Sequence, residues 1–170
     1  MSDIAEFLKW QMTYAIDQIK LADAKMNFII VINLALLTLL TAKINEVVNI
    51  FNSGIGCPIQ VLVLILTIAY SFCFIRVIVY IWNTIRPRIY PKEILKNKDY
   101  ISAIFWGDVA YGSINDFRSI ELEKRMDDLY DQVYVNSYIA REKFNNVRGA
   151  FNILIPTTII VFMIIILINI

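Results

Sequence analysis

The chain has 170 residues, 58% of them hydrophobic, with a mean hydropathy of +0.60 and a formal net charge of +1. Soluble domains sit at about 45–50% apolar, so the excess points to a membrane, while the near-neutral charge offers no basic face for nucleic acid. Histidine is absent, which removes the commonest general base, the usual metal ligand and the near-neutral proton switch together.

Residues 1–25 read as an amphipathic helix. Ile4, Leu8, Met12, Ala15, Ile19, Ala22 and Met26 recur at spacings of three and four, and Asp3, Glu6, Lys9, Asp17, Lys20 and Asp23 fall mostly off that stripe. Residues 26–42 follow as an almost unbroken apolar run, the first predicted span. Nothing between Ala22 and Asn27 breaks a helix, so lead and span are expected as one helix, roughly 60 Å from Asp3 to Ala42. The lead is long and mixed in charge, unlike the short basic lead of a cleaved signal.

Residues 43–58 are expected as a loop, since "NSGIGCP" (Asn52–Pro58) joins Gly, Ser and Pro between two apolar runs. Residues 59–82 form the second predicted span, closed by the two prolines of "IRPRIYP" (Ile85–Pro91). Residues 83–149 are polar and aromatic, with short helices expected at Lys92–Lys98 and around Phe105–Gly112. From about Asp116 a second long helix is expected. Its seam of Met126, Tyr130, Val133, Ser137, Ala140, Phe144 and Val147 runs into the third span, residues 150–170, with Gly149 as the joint and the acidic residues Glu121, Glu123, Asp127, Asp128 and Asp131 opposite. Cys57 and Cys73 would lie roughly 24 Å apart along a helix, too far for a disulfide, and read as free thiols.

The expected fold is therefore an all-α membrane protein: three transmembrane helices, with long cytosolic helical extensions packed as a stalk or bundle. Basic residues set its orientation. The loop 43–58 holds one lysine, whereas 83–149 holds eleven lysines and arginines. The N-terminus and the long segment are expected on the cytoplasmic side, the short loop and the C-terminus outside.

Catalytic constellations are missing. Without histidine there is no Ser–His–Asp set, and neither G-x-x-x-x-G-K-[ST] nor G-x-G-x-x-G occurs. No enzyme, metal site or cofactor is expected. Three residues within the spans stand out: Asn33, a candidate for an interhelical hydrogen bond or a pore-facing position; Arg76, which either snorkels to the headgroups or lines a pore or contacts another helix; and Pro156, which removes a backbone donor and is a candidate hinge.

Three stretches are similar to a known family. "ADAKMNFIIVINLALL" (Ala22–Leu37), "FWG" (Phe105–Gly107) and "VNSYIAREKFNNVRGAF" (Val135–Phe151) resemble elements of the Pycsar-type transmembrane effectors (pyrimidine cyclase system for antiphage resistance). The resemblance covers roughly Leu21 to the C-terminus and departs from the family at Met26, where alanine is commoner. It singles out Asp23, Lys25, Gly107, Asn136 and Ser137 as family-like positions. It implies an antiphage effector in the bacterial inner membrane, responding to cyclic UMP or cyclic CMP from a partner pyrimidine cyclase by impairing that membrane in abortive infection. Arg86, Arg88, Lys92 and Lys143 for the phosphate, with Phe105 and Trp106 for the base, are the candidate ligand residues. A homo-oligomer in the lipid bilayer, without nucleic acid, is the expected assembly. Competing readings are an effector gated by another messenger or a protein partner, and a non-toxic membrane anchor.

Overall fold

The computed structural model of the chain describes residues 2–52, 57–86 and 122–169. Its elements there are α1 (Ser2–Ala42), α2 (Ile44–Asn52), α3 (Cys57–Ile85) and α4 (Leu122–Ile168). No proline or glycine interrupts α1 or the body of α3, and Pro58 sits in the first turn of α3, where its missing N–H costs no helical bond. Among the described residues, three helices are long and apolar enough to cross a membrane, over Asp3–Ala42, Pro58–Ile85 and Arg125–Ile168. The fold is all-α, as the composition and periodicity imply.

The chain divides into two compact units. The first comprises Met1–Ala22 and Pro87–Lys143; the second comprises Asp23–Arg86 and Phe144–Ile170. Helices α1 and α4 each contribute to both. In the first unit the described core holds Leu8, Ala15, Ala22, Leu129, Val135 and Ala140, with Asp128 and Gln132 buried among them and engaged in polar contacts.

In the second unit burial keeps a seven-residue step on every long helix. On α1 it falls at Ile29 and Leu36 and again at Met26 and Asn33; on α3 at Val63, Tyr70, Val77 and Thr84; on α4 at Val147, Leu154 and Val161, with Ala150, Thr157 and Ile164 between. A strict heptad of buried positions belongs to left-handed, coiled-coil-like packing, the commonest arrangement of membrane helices. Residues outside this seam, such as Phe28, Val31, Ile68, Phe72 and Phe162, are exposed and apolar, which suits a surface solvated by lipid.

Hydroxyl groups are settled locally. All seven threonines of the chain donate to the carbonyl four residues back, from Thr13 to Lys9 (2.9 Å) through Thr84 to Tyr80 (2.9 Å) and Thr157 to Ile153 (2.7 Å). Such back-bonding satisfies a donor where no water is present. Helix α4 continues through Pro156, which cannot donate to the Asn152 carbonyl; Thr157 and Thr158 bond the next two carbonyls, Ile153 and Leu154.

Two expectations change. Residues 44–52 of the expected loop form α2. The Lys43 amide donates to Leu40 (3.1 Å), its carbonyl accepts from Val47 (3.1 Å), and its ammonium pairs with Glu46 (2.6 Å). The Gln60 side-chain amide donates to the Ile50 carbonyl at 2.9 Å, fastening α2 to the start of α3. Ile44, Val48 and Phe51 are exposed while Ile50 is buried, the pattern of a short helix lying at a membrane surface. The seam of α4 also shifts in its first half. Tyr130 and Ser137 are exposed, whereas Asp128, placed on the acidic outer face, is fully buried.

Gly149 is a packing position inside α4 rather than a break. A Cβ there would stand 2.6 Å from the Tyr80 ring, so the absent side chain lets α3 and α4 approach closely. Gly149→Ala is expected to lower stability by about 1–3 kcal/mol through overpacking. In the Tyr80→Ala background the same change is expected to cost little. Thermal unfolding of the four-protein cycle in detergent checks both outcomes.

Candidate functional site

Helices α1 and α4 enclose a cleft of about 620 Å³ in the second unit, lined by Ala24, Lys25, Phe28, Ile29, Phe144, Val147, Arg148 and Phe151. Lys25, Phe28 and Ile29 are spaced i, i+3, i+4 on α1, and Phe144, Val147, Arg148 and Phe151 extend the same pattern to i+7 on α4. Each set therefore forms one helix stripe. Ile29 and Val147 are buried at the floor, while Phe28 and Phe151 are exposed at the sides. The Lys25 ammonium stands 5.2 Å from the Phe144 ring centroid, within cation–π reach. The cleft is thus apolar with two cations, and holds no nucleophile or carboxylate. Among the described residues no group of His, Cys, Asp and Glu could hold a metal ion.

Near the middle of their spans, two buried polar atoms lack a hydrogen-bond partner: the Asn33 side-chain oxygen on α1 and the Tyr70 hydroxyl on α3. The Asn146 side-chain nitrogen on α4 is a third such atom. In a bilayer no water can compensate the Asn33 and Tyr70 atoms. Asn33 faces the packed interior in this state, and neither of its two expected roles has a partner here. Arg76 is exposed on α3, away from the packed seam. Cys73 is a free thiol.

The first unit carries a row of exposed aromatic rings on α1. Phe7 and Trp10 stack with centroids 6.0 Å apart, and Trp10 and Tyr14 at 5.9 Å. Tyr130, Tyr134 and Tyr138 are exposed at four-residue steps on α4.

Of the expected ligand residues, Arg86 is exposed at the end of α3 in the second unit, and Lys143 is half-buried and engaged in a polar contact in the first. Arg88, Lys92, Phe105 and Trp106, with Gly107 of the family-like set and both expected short helices, lie outside the described residues. Asp23 is half-buried with a polar partner, Asn136 is half-buried and Ser137 exposed. The cleft around Lys25 was not legible as a site from spacing alone. One signal was available: Lys25 and Arg148 are the last charges before the first and third apolar runs.

Comparison with known proteins gives one match. The family described as Pycsar effector protein domain matches residues 7–170. No curated protein and no solved structure matches the chain.

A buried polar atom without a partner costs about 1–3 kcal/mol. Asn33→Leu, close in size and without the amide, is therefore expected to raise the unfolding temperature in detergent, and Tyr70→Phe to leave it equal or higher. Differential scanning fluorimetry of the purified variants measures this; a fall for both would show that these groups are satisfied in the folded protein.

Proposed function

This chain belongs to the Pycsar effector protein family, and on that premise we propose how it performs its role as an antiphage defence effector. The signal is a cyclic pyrimidine nucleotide, cyclic UMP or cyclic CMP, made by a partner cyclase when infection is sensed. The response is loss of inner-membrane integrity, so that the infected cell dies before phage is released. The protein itself is not an enzyme and needs no cofactor.

The observation that carries this reading is the sharing of α1 and α4 between the two units. A polar unit suited to a soluble signal and an apolar unit with three candidate spans are joined by uninterrupted helices. A ligand can shift an equilibrium only by binding one state better than another. Ligand engagement in the first unit would bias the packing of spans one and three through these helices. The buried, unpartnered Asn33 and Tyr70 atoms favour such a device, because a rearranged bundle could satisfy them with water or with each other's neighbours.

Topology follows the basic residues: N-terminus and first unit in the cytoplasm, C-terminus outside. Arg88, Lys92 and Lys143, which belong to the first unit, remain the candidates for the nucleotide phosphate, with Phe105 and Trp106 for the base. A homo-oligomer is proposed as the acting species. Its contact face in the first unit is the stacked Phe7–Trp10–Tyr14 row, since exposed aromatics of this kind dominate protein interfaces.

The test is dye entry into cells holding the protein in the membrane, with cyclic UMP, cyclic CMP and cyclic AMP each raised by a matching cyclase. Entry is expected with one pyrimidine nucleotide and not with cyclic AMP; no entry with any of them would overturn the proposal. Trp10→Ala is expected to lower the oligomer fraction in cross-linking and the dye response together, at unchanged membrane level.

A further inference from the structure

The cleft between α1 and α4 combines an apolar groove with two cations at one end of the spans. Lys25 is the last charge on α1 before Lys43, and Arg148 is the last on α4. Both therefore mark the border where each helix passes from charged to apolar sequence, the depth at which lipid headgroups lie. Among the described residues neither cation has a carboxylate partner, and Lys25 rests over the Phe144 ring instead. From this border the groove runs over Ile29 and Val147 between the exposed rings of Phe28 and Phe151.

The lining decides what fits. Apart from Lys25 and Arg148 it offers no hydrogen-bonding side chain. A soluble nucleotide bound there would leave its base edge and sugar hydroxyls without partners, at the cost that any desolvated polar group incurs. An anion with an apolar tail leaves nothing unsatisfied. The volume, about 620 Å³, lies within the roughly 300–1,000 Å³ range of small-molecule sites.

We infer that the cleft is a binding site for an anionic phospholipid. Lys25 and Arg148 hold its phosphate, and one acyl chain lies between Phe28 and Phe151. A lipid seated there bridges α1 and α4, so the packing of the bundle depends on the composition of the leaflet around it. This holds whether or not the protein answers a cyclic nucleotide.

The test uses the full chain in nanodiscs of phosphatidylglycerol or of phosphatidylcholine, followed by native mass spectrometry of the released protein. Retention of phosphatidylglycerol is expected to exceed that of phosphatidylcholine by about tenfold or more, since each cation near the headgroups adds to anionic-lipid affinity. The preference is expected to vanish in K25Q/R148Q and to survive in K25R/R148K, with helical content by circular dichroism unchanged in both. Equal retention of the two lipids by the unsubstituted protein would overturn the inference. So would a preference that survives in K25Q/R148Q. Displacement of the lipid by millimolar inorganic phosphate or cyclic UMP would also overturn it, and would mark the cleft as a site for a soluble anion. Dye entry plays no part in these readouts, so failure here and failure of the effector reading are separate results.

Discussion

Inside a bilayer no water is available to complete a hydrogen bond, and this constraint organises most of what the chain does. Backbone groups answer it by forming helices long enough to cross. Threonine hydroxyls answer it by turning back to the carbonyl one turn earlier, as the six from Thr38 to Thr158 do. Pro156 takes one donor out of α4, and the following threonines add bonds beside the gap. Against this uniform accounting, the Asn33 oxygen and Tyr70 hydroxyl are exceptions. Exceptions of this kind in native structures point to stored strain or to a second state in which the group is satisfied.

Helix association in lipid gains little from hydrophobicity, because lipid tails are as apolar as leucine. Close approach must do the work. The seven-residue seam supplies it: Ala150 and Gly149 are small residues at or beside buried positions, and Tyr80 fills the space that Gly149 leaves. The same physics decides what the sequence could reveal. Three spans, their order and the helical character of both extensions are legible because apolar length and the absence of breakers suffice. The inward face of each span is not, because Ile, Leu, Val and Phe occupy every side and hydropathy carries no phase there. Small and polar residues carry the phase instead, at Asn33, Thr84, Ala150 and Thr157.

The polar extensions misled in the opposite way. Tyr130 has the spacing of a seam residue, yet the ring is exposed, while Asp128 and Gln132 are buried with polar partners. A tyrosine has both an apolar body and a polar tip, so its place in a pattern does not fix its side. Helix α2 was hidden by its neighbours: the Gly, Ser and Pro signals of residues 52–58 marked a loop, although Ile44, Val48 and Phe51 already had helical spacing. The cleft was hidden for a third reason. Its halves, around Lys25 and Arg148, lie more than a hundred residues apart, and only folding brings their stripes into one groove.

The clasp between α2 and α3, where Gln60 holds the Ile50 carbonyl, has a consequence for biogenesis. It ties α2 to α3 within the connection between the first two spans, a hairpin that is complete once Ile85 has been made. About 65 further residues precede the apolar part of α4, a delay of roughly 3–13 s at ordinary translation speeds. During that interval the hairpin rests in the membrane without its third partner. The Tyr80 ring then faces lipid instead of Gly149, and the cleft has only one wall. Helix α4, made after α1 and α3, is thus the one that completes both the packed seam and the groove, so a chain cut short before residue 144 would enter the bilayer yet lack either.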